Sequence, residues 1–421
     1  MAQLLVLFVT AFIDMVGLAM IVPLLPYYAT KFGASATIVG VLISAFSVAQ
    51  LLVAPAWGRF SDRYGRRPAI LAGLVVTAGA YAIFGFADSV LALLVSRVVQ
   101  GLGGGTIGVV QAYVADASSP SERVKSLGWL SAVTSLGAVV GPAFGSAAVA
   151  VGGRHAPGVA AAVLSLLVAG FAWAYLREPQ VVSATSGSNQ ATSRLTSRQA
   201  VARVLTHWGE PASRLIWIYA IGIGAFYGTI QIASLLLMER LGVTERNVGY
   251  FVMYLGAMGV IVRSLILGRM VDALGEPRLA RLGIVLLAGG LAATGLAHGP
   301  LLLFVGFTLM PLGTAFLFPC VTGLLSGAVR TSERGLFMGV QHTFGGISRV
   351  AFPIAAGLLI DRFDVGVPYW VAGLCVLATL PLTRGMTRTA GRERKAAAEA
   401  TAAVPAAQAT GEFPVPPQPG R

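Results

Sequence analysis

The chain has 421 residues, of which 56% are apolar and 11% charged, and its mean hydropathy is +0.78. That balance excludes an ordinary soluble domain, which needs far more charge to stay in water. The net charge of +13 would suggest a nucleic-acid partner in a soluble protein, so where the charge lies has to decide its meaning.

Apolar runs near the roughly 20 residues needed to cross a bilayer core recur along almost the whole chain, and their spacing predicts twelve spans. In order, the first six cover Leu4 to Tyr28, Ala36 to Trp57, Ala69 to Ala87, Val90 to Tyr113, Lys125 to Ala150 and Pro157 to Leu176. The second six cover Arg214 to Met238, Val248 to Gly268, Leu279 to Ala297, Pro300 to Ser326, Leu336 to Ile360 and Gly366 to Leu382. Buried helices of a soluble bundle would carry a polar face, and these mostly do not. With both termini in the cytoplasm, about 22 of the 30 Lys and Arg residues fall in loops and tail on that side and about 5 on the other, with Arg97, Arg263 and Arg349 inside spans. The excess is the positive-inside pattern of a plasma membrane protein, such as one of a bacterial inner membrane, and nucleic acid becomes an unnecessary partner. Span 1 has no preceding Lys or Arg and contains Asp14, so it does not read as a cleavable signal peptide.

Two segments interrupt the spans. Residues 177–213 divide them six and six, giving a bundle over 1–176, an inter-domain cytoplasmic loop, a second bundle over 214–383, and a tail over 384–421. The loop opens with the polar run VVSATSGSNQATS; then Val201, Val204, Leu205 and Trp208 repeat at helical spacing beside Arg194, Arg198 and Arg203. That pattern suits either a helix lying on the anionic inner leaflet or a solvated linker. The tail has too few large apolar residues to build a core and is expected to be disordered.

The chain repeats itself. GRFSDRYGRRP, starting at Gly58, meets GRMVDALGEPR, starting at Gly268, at a shift of 210 residues, so that Gly58, Arg59, Asp62 and Gly65 fall on Gly268, Arg269, Asp272 and Gly275. Each copy follows the second span of its half. The expected fold is an all-α polytopic membrane protein with twelve transmembrane helices in two pseudo-symmetric six-helix bundles, an architecture recurrent among secondary transporters. On the short turn after span 2, Gly58 and Gly65 permit close backbone approach, while Asp62, Arg63 and Arg66 offer ionic latching to neighbouring helix ends. The segment resembles the loop signature of the major facilitator superfamily, whose members repeat it where Gly268 and Asp272 stand. The resemblance implies a gating role for these residues.

Span 4 holds LVSRVVQGLGGG, similar to a second signature of proton-coupled members of that superfamily. Arg97 cannot readily lose its proton and needs an anionic partner, water or hydrogen bonds within a bilayer. Counting about 1.5 Å per residue puts Asp14 within about 5 Å of its depth, which makes Asp14 the expected partner. Asp14 is the one acid placed deep in a span and the candidate proton carrier; His342 is the other candidate titrating site. The run IDMVGLAMIVPLLPYY around Asp14 resembles the first helix of twelve-helix drug:proton antiporters, in particular tetracycline-type exporters. In span 5, Gly137, Gly141, Pro142 and Gly145 match the antiporter signature, and Pro353 and Gly357 echo it loosely in the second half. Those exporters carry further carboxylates in spans 3 and 9, which are absent from 69–86 and 279–297, so the likeness does not extend to tetracycline itself.

Gln50, Gln111, Tyr227, Gln231, Tyr254 and Gln341 are candidates for a substrate cavity, since amides and aromatics hold amphiphilic ligands. Arg263 is near enough to the inner interface to reach it, whereas Arg349 is deep enough to favour an anionic partner or substrate. Cys320 and Cys375 lie far apart in separate spans and read as small apolar fillers, so no metal or cofactor is expected. No converging acids or activated nucleophile suggest an enzyme. The expectation is a monomeric exporter of a small organic or drug-like compound by proton antiport. The rivals are an uptake symporter or facilitator on the same fold and, more remotely, a non-transporting receptor.

Overall fold

The computed structural model describes residues 2–119, 121–178 and 196–384. The polar run 181–193, Arg194 and the tail from residue 385 lie outside the described residues. Eleven helices among those described are long and apolar enough to cross a membrane. In the first half they are α1 (Gln3–Lys31), α2 (Ala36–Tyr64), α3 (Arg66–Gly85), α4 (Val90–Asp116), α5 (Arg123–Gly152) and α6 (Ala156–Tyr175). A short helix, α7 (Ser197–Thr206), precedes the second half. That half comprises α8 (Pro211–Leu241), α9 (Val248–Leu274), α10 (Glu276–Leu296), α11 (Pro300–Ala328), α12 (Arg334–Arg362) and the shorter apolar α13 (Val367–Thr383).

Local chemistry sets the helix ends. Ser35 and Ser89 cap α2 and α4 by accepting from the amides of Ile38 and Ala92. α8, α10, α11 and α13 each carry a proline in their first turn, where its missing N–H costs nothing. Pro23 sits in the 3₁₀ turn Val22–Leu24 that interrupts α1. α4 is likewise broken by a turn at Gly105 and Thr106, which the uniform hydropathy of the segment conceals. α2 runs seven residues past the expected Trp57, so the signature segment stays helical until Gly65.

The repeat is visible in the backbone. Gly65 ends α2 with φ +105° and ψ 158°, and Gly275 ends α9 with φ +75° and ψ 154°. A side chain is strained at such φ, which explains glycine at both copies. Within each half the same seams recur: α1 packs on α5 and α3 on α6, as α8 packs on α12 and α10 on α13. α7 docks on α8 and α12. Its Ala200 and Val204 are buried while Leu205 is exposed, and Trp208, in the turn that follows, is exposed and stacks on Trp217 at 5.4 Å. The segment is therefore a docked helix, with a narrower buried stripe than the spacing of Val201, Val204, Leu205 and Trp208 suggests.

The two halves meet chiefly along α2 with α12 and α5 with α9. We call the face carrying the loops 32–35, 242–247 and 363–366 distal, and the face carrying both described ends of the chain proximal.

Candidate functional site

The contacts between halves run from the distal loops to about mid-bundle, where Gly346 meets Leu51 and Gly256 meets Val139. A Cβ on Gly40 of α2 would overlap the Pro353 carbonyl of α12, and a Cβ on Gly249 of α9 would overlap the Pro142 carbonyl of α5. The two pairs are related by the internal repeat, so the loose sequence echo of Pro142 by Pro353 marks a shared structural part. Gly357 meets the Ala36 carbonyl in the same way. Such backbone approach is what small residues permit between membrane helices. Hydrogen bonds complete the seal. Ser44 donates to the Val350 carbonyl at 2.7 Å, Ser146 donates to the Glu245 carbonyl at 2.8 Å and accepts from the Gly249 amide at 2.9 Å, and Tyr27 donates to the Val243 carbonyl at 2.7 Å.

Two carboxylates reinforce the distal seal, and neither stood out in the sequence. Asp361 of α12 accepts from the amides of Ala36 and Thr37 at 2.9 Å each, capping α2 from across the interface. A cap of this kind contributes about 1 kcal/mol. Asp361→Ala is expected to lower the ratio of distally closed to open molecules about fivefold without unfolding the protein; spin-label distances across the distal loops measure it. Glu245 pairs with Lys31. Burial alone would raise the Glu245 pKa, but the hydrogen bond from Lys31 and the neighbouring backbone outweigh it and hold the carboxyl below its usual range. A depressed carboxyl stabilises the closed form above its ordinary pKa and loses that contribution as pH falls through the lowered value. The distal seal should therefore loosen in acid, and Glu245→Gln should remove part of that dependence in the same distance measurement.

The proximal side is parted. Nothing lies within 4 Å of a Cβ placed on Gly58, Gly128, Gly268, Gly335 or Gly339. Asp62, expected to latch onto neighbouring helix ends, is exposed and pairs with Arg66 one turn along. Arg66 also pairs with Asp116 at 3.1 Å, so the network stays within the first half. Arg63 lies over the ring of Tyr64, and Asp272 is exposed. Glu178 accepts from the amides of Arg66 and Arg67, capping α3, and presses on Gly65. Gly137, Gly141 and Gly145 pack α5 onto α1 through Phe12, Val16 and Met20.

Asp14 and Arg97 do not form the expected ion pair. The five ion pairs among the described residues include neither. Asp14 is half-buried, and Arg97 is 3% exposed and lies over the Phe84 ring at 5.7 Å. Tyr81, whose ring packs against Gly17, is within electrostatic reach of both. The Tyr81 hydroxyl and the Gln100 amide face each other, while two guanidinium nitrogens of Arg97 are buried without a hydrogen-bond partner. Both charges therefore act on Tyr81 rather than pairing with each other.

The cavity candidates separate. Tyr227 is 39% exposed, with Arg349 over its ring at 5.6 Å. His342 and Gln111 are exposed and Gln231 half-buried. Three others bond to neighbouring helices. Gln341 is 1% exposed and donates to Thr322, so it lines no open wall. Gln50 donates to the Gly104 carbonyl, joining α2 to α4. Tyr254 bonds Thr308 and lines an aromatic groove of about 310 Å³ between α9 and α11, shared with Phe304 and Phe307. Amide and phenol groups look alike in sequence whether they serve packing or ligand; the neighbouring helix decides.

Comparison with known proteins agrees with this geometry. The family model described as Major Facilitator Superfamily matches residues 7–266 and 252–417. Multidrug resistance protein 2 of Bacillus subtilis (strain 168) is 27% identical over 385 residues, covering 88% of this chain and 92% of the relative. Tetracycline resistance protein, class B, of Escherichia coli is 26% identical over 390 residues, covering 90% and 95%. A solved bacterial homologue of the human lysosomal transporter Spinster shares the fold, with a TM-score of 0.77 at 15% identity, over 92% of this chain and 96% of that one.

Proposed function

Because the chain belongs to the Major Facilitator Superfamily, we propose that it is a secondary active exporter of a small organic, drug-like compound, working by proton antiport and alternating access. The observation that carries the reading is the one-sided seal: glycine-to-carbonyl contacts close the distal side, while the proximal glycines face nothing within 4 Å. Two bundles that touch at one end and part at the other form half of an alternating-access cycle. The basic residues Arg59, Arg63, Arg66 and Arg67 line the proximal face, which supports placing that face and both termini in the cytoplasm. In that orientation the described conformation opens inward, and the protein works as a monomer in the plasma membrane.

The rest of the cycle follows from the same parts. Asp62 and Asp272, exposed here, are proposed to engage helix ends across the proximal side when the distal seal opens, as Asp361 engages α2 on the distal side now. Asp14 carries the proton, and Arg97 with its unpartnered buried donors fixes the local field it feels. The relatives bearing multidrug and tetracycline resistance names support a drug-like cargo. Expression in an efflux-deficient bacterial host, followed by a compound-sensitivity screen and flux measurement in proteoliposomes, tests the proposal. Protection that disappears when the pH gradient is collapsed supports it; a protein that protects against nothing and moves nothing under an imposed pH gradient refutes it.

A further inference from the structure

One wall of the inward opening has a composition that the export reading does not explain. Arg349 lies about 22 Å along α12 from its proximal start, at a depth where a bare charge is costly, and the exposed Arg263 stands about 16 Å from the proximal end of α9. Neither is in any of the five ion pairs of the described residues. The single hydrogen bond from the Arg349 side chain runs from Nε to the Gly345 carbonyl one turn earlier, at 3.4 Å, which leaves the outer edge of the guanidinium unused. Arg263 falls within a π-helical turn, Val262–Ile266, a distortion that recurs at functional sites. Both arginines are within electrostatic reach of Tyr219, whose ring packs against Gly345 and sits 6.4 Å from that of His342 and 5.4 Å from that of Phe318.

From this arrangement we infer that Tyr219, Tyr227, Arg263, His342 and Arg349 form a substrate site for organic anions, specifically aromatic carboxylates. The inference rests on the export reading and gives its cargo a chemical class. A carboxylate matches the planar fork of a guanidinium bidentately, while its aromatic body stacks among Tyr219, Tyr227 and Phe318. A permanently cationic compound meets two guanidinium groups and no acid on this wall, so it is repelled. The only acid deep in any span, Asp14, belongs to the other bundle.

Binding is measured by thermal shift and titration calorimetry on the purified full-length protein in phosphatidylcholine nanodiscs, which hold no anionic lipid to compete. The probes are 2-naphthoate and its cationic counterpart of similar shape, 2-naphthyl-trimethylammonium. The wild type is expected to bind naphthoate and to discriminate against the cation by about tenfold or more. Arg349→Gln and Arg263→Gln should each weaken naphthoate binding about 10- to 100-fold, the loss typical of a charge-assisted hydrogen bond. Equal or stronger binding of the cation overturns the inference, as does unchanged naphthoate affinity in both variants. If a variant does not fold, the wild-type comparison still decides. Flux of the two probes under a pH gradient separates the inference from its premise: cation export without naphthoate binding sinks only the anion site, whereas naphthoate binding without driven flux sinks the transport reading.

Discussion

Gly249→Val is expected to leave the protein inserted and folded but unable to close its distal face. Even a Cβ at this position overlaps the Pro142 carbonyl, and it would also stand 2.8 Å from the Ser146 hydroxyl. A backbone carbonyl has no rotamer to give way, so α9 and α5 must separate, and the amide of Gly249 then loses its bond to Ser146. Overpacking of this kind costs about 1–3 kcal/mol. Because the clash exists only in the distally closed form, the whole cost falls on one side of the conformational equilibrium and lowers the closed population about 5- to 150-fold. Gly268→Ala provides the contrast, since nothing lies within 4 Å of its Cβ and it should leave distal closure unchanged. Spin-label distances between the 32–35 and 242–247 loops, with elution as a monodisperse peak as the folding control, measure the effect. Unchanged distances in Gly249→Val would show that the seal does not depend on backbone contact.

The same interface shows what can be read from the chain and what cannot. Spans and repeat were legible because hydropathy is a local property and because GR, D and G recur at fixed spacing; the positive φ of both Gly65 and Gly275 gives that spacing its physical reason. The sealing glycines Gly40 and Gly249 were not legible, since they read in sequence like Gly339 and differ only in what lies opposite. Asp361 and Glu178 look like ordinary loop-end acids, and their roles come from amides 324 and 325 residues away in one case and 111 and 112 in the other. The predicted pairing of Asp14 with Arg97 failed for a related reason. Counting residues fixes depth along the bundle normal, but rotation about each helix axis decides which side chains meet, and here both charges reach Tyr81 without pairing. Likewise the amide of Gln341 faces Thr322 because α12 presents that face to α11.

Asp14→Asn should abolish uphill transport while leaving downhill movement of the same substrate intact. Asp14 alone among the acids of the described residues sits deep in a span; Asp62, Asp116, Glu239, Asp272 and Asp361 lie near helix ends, and Glu178, Glu245 and Asp364 in loops. No ion pair or hydrogen bond of the described structure involves its side chain, so no fixed partner ties it to one charge state. A carboxyl in that position can take or release a proton as alternating access changes its water and its distance from Arg97. Asparagine preserves the shape and removes the titration. One pH unit across the membrane is worth about 1.4 kcal/mol per proton, so with the membrane potential clamped at zero a one-proton exchanger can hold about a tenfold substrate gradient per unit. The Asn variant should hold none, with internal and external concentrations equalising at a rate comparable to wild-type exchange. Proteoliposomes carrying an imposed pH gradient give both numbers in one experiment. If Asp14→Asn still concentrates substrate tenfold per pH unit, the proton travels elsewhere, and His342, exposed beside Tyr219 on the opposite bundle, becomes the group to replace next.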